Sequence, residues 1–137
     1  MVVVASRYMR GGSHTGGPLI KGLLSRTAGI SLHYLIRLPT HDATYATRLY
    51  RKSFLDATTI ESKKGFALAL ELTLKAYFFG GTIVEVPVAW HERTVGTSRF
   101  RLAKWLPEYL RWYWYGVRSY YTSLFSKKLR VAARTSI

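Results

Sequence analysis

The residues of this chain that could do chemistry are mostly cations. Arg93 and Arg99 flank Gly96-Thr97-Ser98, a turn from which Ser98 is placed to cap a helix. A helix N-terminus beside two arginines offers oriented N–H groups and positive charge, the donor set that a cluster of anionic oxygens requires. Lys21 and Ser25 are four apart on another predicted helix and share a face. Taken alone, they read as two solvated polar side chains. Other chemistries lack their groups. The 137 residues contain no cysteine, which excludes a disulfide framework and a cysteine zinc site. His14, His33, His41 and His91 have no metal-ligand spacing, and no Ser-His-Asp or paired-carboxylate constellation stands out. Lys and Arg number 21 against 7 Asp and Glu, a formal charge of +14. That balance points to nucleic acid, an acidic membrane surface or phosphorylated small molecules as partners.

The elements that must position these residues alternate between strand and helix. Val2–Ala5 reads as a core strand, and its abrupt start suggests further sequence upstream. It is too short and lacks the basic flank for a signal peptide. The loop Arg10–Gly17 follows, rich in Gly and polar residues, either a mobile flap or a surface connector. Pro18 suits the first turn of a helix running to about Leu38, with Gly22 and Gly29 as weak points. Residues 39–44 form a turn in which Asp42 reads as a turn former or cap. Thr47–Arg51 is a short extended segment, with Arg48 and Arg51 expected at the surface. A polar connection, Thr58–Lys64, leads to a helix over Gly65–Phe79, apolar on most sides, in which Glu71 and Lys75 pair. Glu71 on such a helix is expected to cap a buried Arg or to line a site. Ile83–Val88 is a β-branched, mostly buried strand, and Pro87, which cannot donate to a ladder, places it at a sheet edge or bend. This order is α/β, most simply part of a layered sandwich.

The last third differs in composition. From Arg93 onward there are ten basic residues and one acidic, Glu108, interleaved with Trp105, Trp112, Trp114, Tyr115 and other aromatics. Pro107 and Gly116 are expected to break this stretch into shorter amphipathic helices. No apolar run reaches the roughly 18 residues of a spanning helix. Three readings remain for it: a bilayer interface, packing on its own sheet, or stacking on single-stranded nucleic acid. The end from Lys127 reads as a frayed basic tail.

Several short motifs line up in order along residues 2–99. They are Val2-Val3-Val4-Ala5-Ser6-Arg7-Tyr8 with Gly11-Gly12, Gly17-Pro18 with Ser25, Asp42-Ala43-Thr44 with Arg48-Leu49-Tyr50-Arg51, Gly65-Phe66 with Glu71, and Glu85-Val86-Pro87 with Arg93, Gly96 and Ser98. In that order and spacing the chain resembles the C-terminal half of family 2 glycosyltransferases of the dolichol-phosphate mannosyltransferase, or polyprenyl-phosphate glycosyltransferase, type. The resemblance implies a GT-A (Rossmann-like) fold present only in part: an α/β sandwich lacking its N-terminal nucleotide-binding half. Residues 1–100 would be the acceptor-side half, 101–126 amphipathic interfacial helices and 127–137 a basic tail. It implies transfer of a sugar from a nucleotide sugar to a polyprenyl phosphate with inversion, at the cytoplasmic face of a membrane by a peripheral protein.

By that resemblance Arg7, Lys21, Ser25, Arg93, Ser98 and Arg99 gather the phosphates of donor and acceptor. Gly11, Gly12, His14, Gly16 and Gly17 form a flexible acceptor loop. Asp42 is the catalytic candidate at the sugar–acceptor junction, supported by Arg48, Glu71 and Glu85. Trp105, Trp112, Trp114 and Tyr115 meet the membrane. A phosphate monoester is largely dianionic at neutral pH, with a second pKa near ~6, so such an acceptor needs orientation and neutralisation more than a general base.

The chain departs from the family pattern in three places. Lys21 stands where the family has Arg. Thr44-Tyr45-Ala46-Thr47-Arg48 replaces Ser/Asn-Gly-Phe-Arg, which alters the acceptor site. No Asp-x-Asp occurs, so Mg or Mn is expected through a donor half that these residues do not include, held upstream or by a separate chain. On that ground the 137 residues are not expected to turn over alone. The rival readings are a non-catalytic basic module that binds membranes or a partner, and a single-stranded nucleic-acid binder.

Overall fold

The computed structural model describes residues 1–63, 66–91 and 102–135, without the side chains of 102, 103 and 127–135. Strand β1 (Val2–Ser6) alternates as its sequence demands, with Val2, Val4 and Ser6 fully buried on one face. It is the middle strand of a three-stranded mixed sheet ordered β3-β1-β4. Strand β3 (Arg48–Tyr50) runs antiparallel to it, with Val2 opposite Tyr50. Strand β4 (Ile83–Pro87) runs parallel to it, with Val2 opposite Ile83 and Ser6 opposite Pro87. Pro87 thus lies on an edge strand, where its missing N–H costs no ladder bond. Contrary to the expectation of burial, only Ile83 of β4 is buried, while Val84 and Val86 are exposed.

Two further short strands were not foreseen. Strand β2 (Ser13–Thr15) lies within the glycine-rich loop and pairs in parallel with β5 (Ala89–His91). Three residues each are too few for periodicity to reveal.

Helix α1 (Leu19–Ile36) begins after Pro18 and buries Gly29, Leu32 and Ile36. Gly29 is required by a close approach: a Cβ there would meet the His41 carbonyl oxygen at 2.2 Å. The glycine therefore lets the 41–43 turn cross α1 directly. The short helix α2 (Lys52–Asp56) lies at the surface and packs Phe54 against the core, and helix α3 (Ala67–Phe78) is buried over most of its surface. Among the described residues, Glu71 on α3 caps no arginine and does not line the main cavity. Its buried carboxylate accepts from the backbone N–H of Glu61 and Ser62 and from Lys75, tying the 58–63 connection to the helix. Burial by itself would raise the Glu71 pKa, but these donors outweigh it and hold it below the ordinary carboxylate value.

Helix α4 (Leu102–Thr135) is one element of 34 residues, with Pro107 inside it. The expected breaks at Pro107 and Gly116 do not occur, and the helix continues beyond Lys127. Proline removes one backbone bond near the start of α4, and packing further along holds the helix together. Trp112 is only 2% exposed and belongs to the core with Leu32, Ile36, Leu38, Leu70 and Leu74. Gly116 is buried rather than breaking the helix, and a Cβ there would come within 2.8 Å of the Leu74 side chain on α3. The Tyr113 hydroxyl donates to Ser31 and the Tyr121 hydroxyl to the Leu35 carbonyl. Helices α1 and α4 therefore run side by side in the same direction. Among the described residues, no helix is long and apolar enough to cross a membrane.

Candidate functional site

A cavity of about 680 Å³ opens beside the carboxyl end of β1, between the first halves of α1 and α4. Crevices at strand carboxyl ends are the usual ligand sites of α/β sheets. Its polar lining includes Arg7, which follows β1, with Lys21 and Ser25 of α1 and Thr44 of the following turn. Its apolar lining comes from Leu24 and Ala28 of α1, Leu70 of α3, and Leu106 and Leu110 of α4. The matching i, i+4, i+7 stripes of Leu24, Ala28 and Ser31 on α1, and of Leu106, Leu110 and Tyr113 on α4, were the signal for these walls. Sequence reasoning passed over them because it looked for cations.

Arg7 is the centre of the polar end. Its Nε donates to Asp42 Oδ2 at 2.7 Å, and its Nη2 donates to Asp42 Oδ1 at 2.9 Å and to Ser25 Oγ at 2.7 Å. Ser25 in turn shares a hydrogen bond of 2.6 Å with the Thr44 hydroxyl. The Arg7 backbone N–H and the Tyr45 N–H complete the Asp42 carboxylate, which is fully buried. Burial opposes the Arg7 charge, but the hydrogen bond and charge of Asp42 more than offset it and raise its pKa. Among the described residues, none accepts from Nη1. Arg7 therefore presents that end of its guanidinium to the cavity while Asp42 compensates its charge.

Asp42 holds Arg7 and the 42–45 turn and has no face open to the cavity. Arg48 is not the surface charge its sequence suggested. Its guanidinium donates to the carbonyls of Asp42, Tyr45 and Ala69, clamping the same turn to α3, and burial lowers its pKa. Glu85 accepts from the backbone and ring of His41 and from Thr40. It thereby ties β4 to the turn that carries Asp42. Burial would raise the Glu85 pKa, but His41, Ser6 and Thr40 lower it further than burial raises it. Tyr109 of α4 also lines the cavity, and burial pushes its pKa up to about 12.

Of the glycine-rich loop, His14 and Gly17 line the cavity. Gly11, Gly12 and Gly16 flank β2 without lining it. Arg93, Ser98 and Arg99, expected at the phosphates, lie outside the described residues. Among the expected membrane contacts, Trp114 is 63% exposed and Tyr115 is exposed, while Trp105 is half-buried. Trp112 is a correction: it is a core residue, turned toward α3, because composition could not say which face of the helix is buried. Leu19 and Leu23, which in sequence read as part of the apolar face of α1, are exposed together with Ile20.

The chain is similar to two mannosyl-transferring proteins. It is 32% identical over 117 residues to polyprenol monophosphomannose synthase of Mycolicibacterium smegmatis, covering 76% of this chain and 44% of that protein. It is 28% identical over 100 residues to undecaprenyl-phosphate mannosyltransferase of Micrococcus luteus, covering 72% of this chain and 41% of that protein. These relatives support a polyprenyl-phosphate glycosyltransferase family. The chain spans less than half the length of either one. No family model matches it, and no solved structure matches it significantly.

Proposed function

We propose that this chain is the acceptor-side part of a glycosyltransferase of partial GT-A architecture that moves a sugar from a nucleotide sugar onto a polyprenyl phosphate. The observation that carries the reading is the cavity itself, with Arg7 and Lys21 in the same lining as the apolar stripes of α1 and α4. Both relatives are named for mannose, so mannose is the sugar to test first.

In this reading the acceptor phosphate binds at Arg7 Nη1 and Lys21, with Ser25 and Thr44 beside it, and the isoprenoid chain lies between α1 and α4. A phosphate oxygen attacks the anomeric carbon as the bond from that carbon to the nucleotide diphosphate breaks, inverting its configuration. The nucleophile is already an anion, so no residue here needs to remove a proton. Asp42 is a positioning residue that sets the orientation of Arg7, and Glu85 and Arg48 hold the turn on which Asp42 sits. Asp42 compensates the Arg7 charge, and Lys21 places a second cation in the same lining.

Among the described residues no group of three or more His, Asp and Glu could hold a metal, and in this reading Mg or Mn would be held by donor-binding residues that these 137 do not include. The exposed side chains Leu19, Ile20 and Leu23 of α1 and Trp114 and Phe125 of α4, together with the basic α4, suit a peripheral position on an anionic bilayer. The test is equilibrium binding of undecaprenyl phosphate and undecaprenol in matched detergent. Saturable binding with at least a tenfold preference for the phosphate is expected, and equal binding of the two lipids contradicts the proposal.

A further inference from the structure

We infer that Tyr45 is a positioning residue for Arg7, and through it for the phosphate head of the acceptor. This rests on the reading of the cavity given above. A guanidinium bonds through its edge and leaves its flat faces dry or wet according to what covers them. Here the Arg7 Cζ lies 4.5 Å from the centre of the Tyr45 ring and 4.8 Å from that of Tyr8. The Tyr45 ring meets Trp90 of β5 edge-on at 5.5 Å, and both side chains line the cavity.

The backbone of Tyr45 is fixed independently of its ring. Its N–H donates to Asp42 and its carbonyl accepts from Arg48. The ring is thus free to serve Arg7, whereas Tyr8 also anchors the chain through its hydroxyl to the Gly22 carbonyl. Asp42 fixes one edge of the guanidinium and the tyrosine ring covers its face, which together aim Nη1 at the cavity and keep water off the group. Charge-assisted hydrogen bonds strengthen when the donor is preorganised and desolvated.

The test compares binding of farnesyl phosphate and farnesol to wild type, Tyr45→Phe and Tyr45→Leu in one detergent. Tyr45→Phe keeps the ring and should match wild type. Tyr45→Leu should bind farnesyl phosphate about three- to tenfold more weakly while farnesol binding stays within about twofold. Unchanged phosphate binding in Tyr45→Leu, equal loss of both probes, or an equal loss in Tyr45→Phe would each overturn the inference. A wild type that does not distinguish the probes contradicts the proposed function instead. In that event hydrogen exchange at Arg7 Nε–H in the unliganded chain still decides: Tyr45→Leu should exchange faster than wild type and Tyr45→Phe, and equal rates refute the positioning role.

Discussion

Of the five N–H groups of a guanidinium, the one on Nε and the pair on Nη2 of Arg7 are taken by Asp42 and Ser25. That arithmetic turns a sequence-level cation into a directed donor. It also changes what Asp42 is for: with four N–H donors on a fully buried carboxylate, it orients Arg7. Removing one member of a buried pair leaves the other charged and unpaired. Asp42→Ala should therefore destabilise the chain by about 3 kcal/mol in denaturant unfolding, and Arg7→Met with Asp42→Leu together should cost less than Asp42→Ala alone. Strict additivity of the single substitutions would contradict the pairing.

The Glu85 carboxylate makes a pH-dependent statement of the same kind. Its native pKa lies below the ordinary 4.5, so its contribution to stability is fully present above that value and is lost as pH falls through the native pKa. Thermal unfolding followed from about pH 6 down to 3 should show a shallower loss in Glu85→Gln than in wild type. Parallel curves would mean that the His41 and Thr40 contacts carry no proton linkage.

At the scale of elements, helices α1 and α3 were legible because caps and breakers bound them: Pro18 ahead of α1 and Gly80-Gly81 after α3. The edge position of β4 was legible from Pro87 alone. The rest was hidden for physical reasons. Strands of three residues carry no period, and neither does a helix of five residues such as α2. Gly116 and Pro107 read as breakers because a sequence cannot show that Gly116 packs against Leu74 of α3, or that a buried tryptophan holds the helix. Exposed β4 side chains likewise look buried in sequence, since β-branching reports strand and not coverage. Two glycines separate these effects. Gly29→Ala should destabilise by roughly 1–3 kcal/mol, because the obstacle is the His41 backbone. Gly116→Ala should be nearly neutral, because the obstacle is the tip of Leu74, which can rotate. Comparable losses at both positions would show that α4 is held against α3 more rigidly than a rotatable leucine allows.

For the whole molecule, the candidate site draws on parts that the sequence keeps far apart: Arg7 after β1, Lys21 and Ser25 on α1, Thr44 in the turn, and Leu106 and Leu110 on α4. The residues proposed for the phosphate were named from motif order, whereas the apolar walls depend on α1 and α4 lying side by side, which only the fold reveals. The same packing sets how a bilayer could be met. Truncating α4 would remove Trp112 from the core, so point changes are the cleaner probe. Trp114→Ser with Phe125→Ser should lower partitioning onto anionic vesicles about tenfold or more by lost apolar burial with an unchanged circular dichroism spectrum, and undiminished partitioning would place the membrane-facing surface elsewhere.

The account stands most directly on where an acceptor lipid lies. A photoreactive isoprenyl phosphate, crosslinked to the chain and mapped by mass spectrometry, measures that position. Adducts are predicted on the facing stripes Leu24–Ala28 of α1 and Leu106–Leu110 of α4, competed by unlabelled farnesyl phosphate but not by farnesol. Adducts confined to the exposed face of β4 or to α2, or competed equally by both compounds, would contradict it.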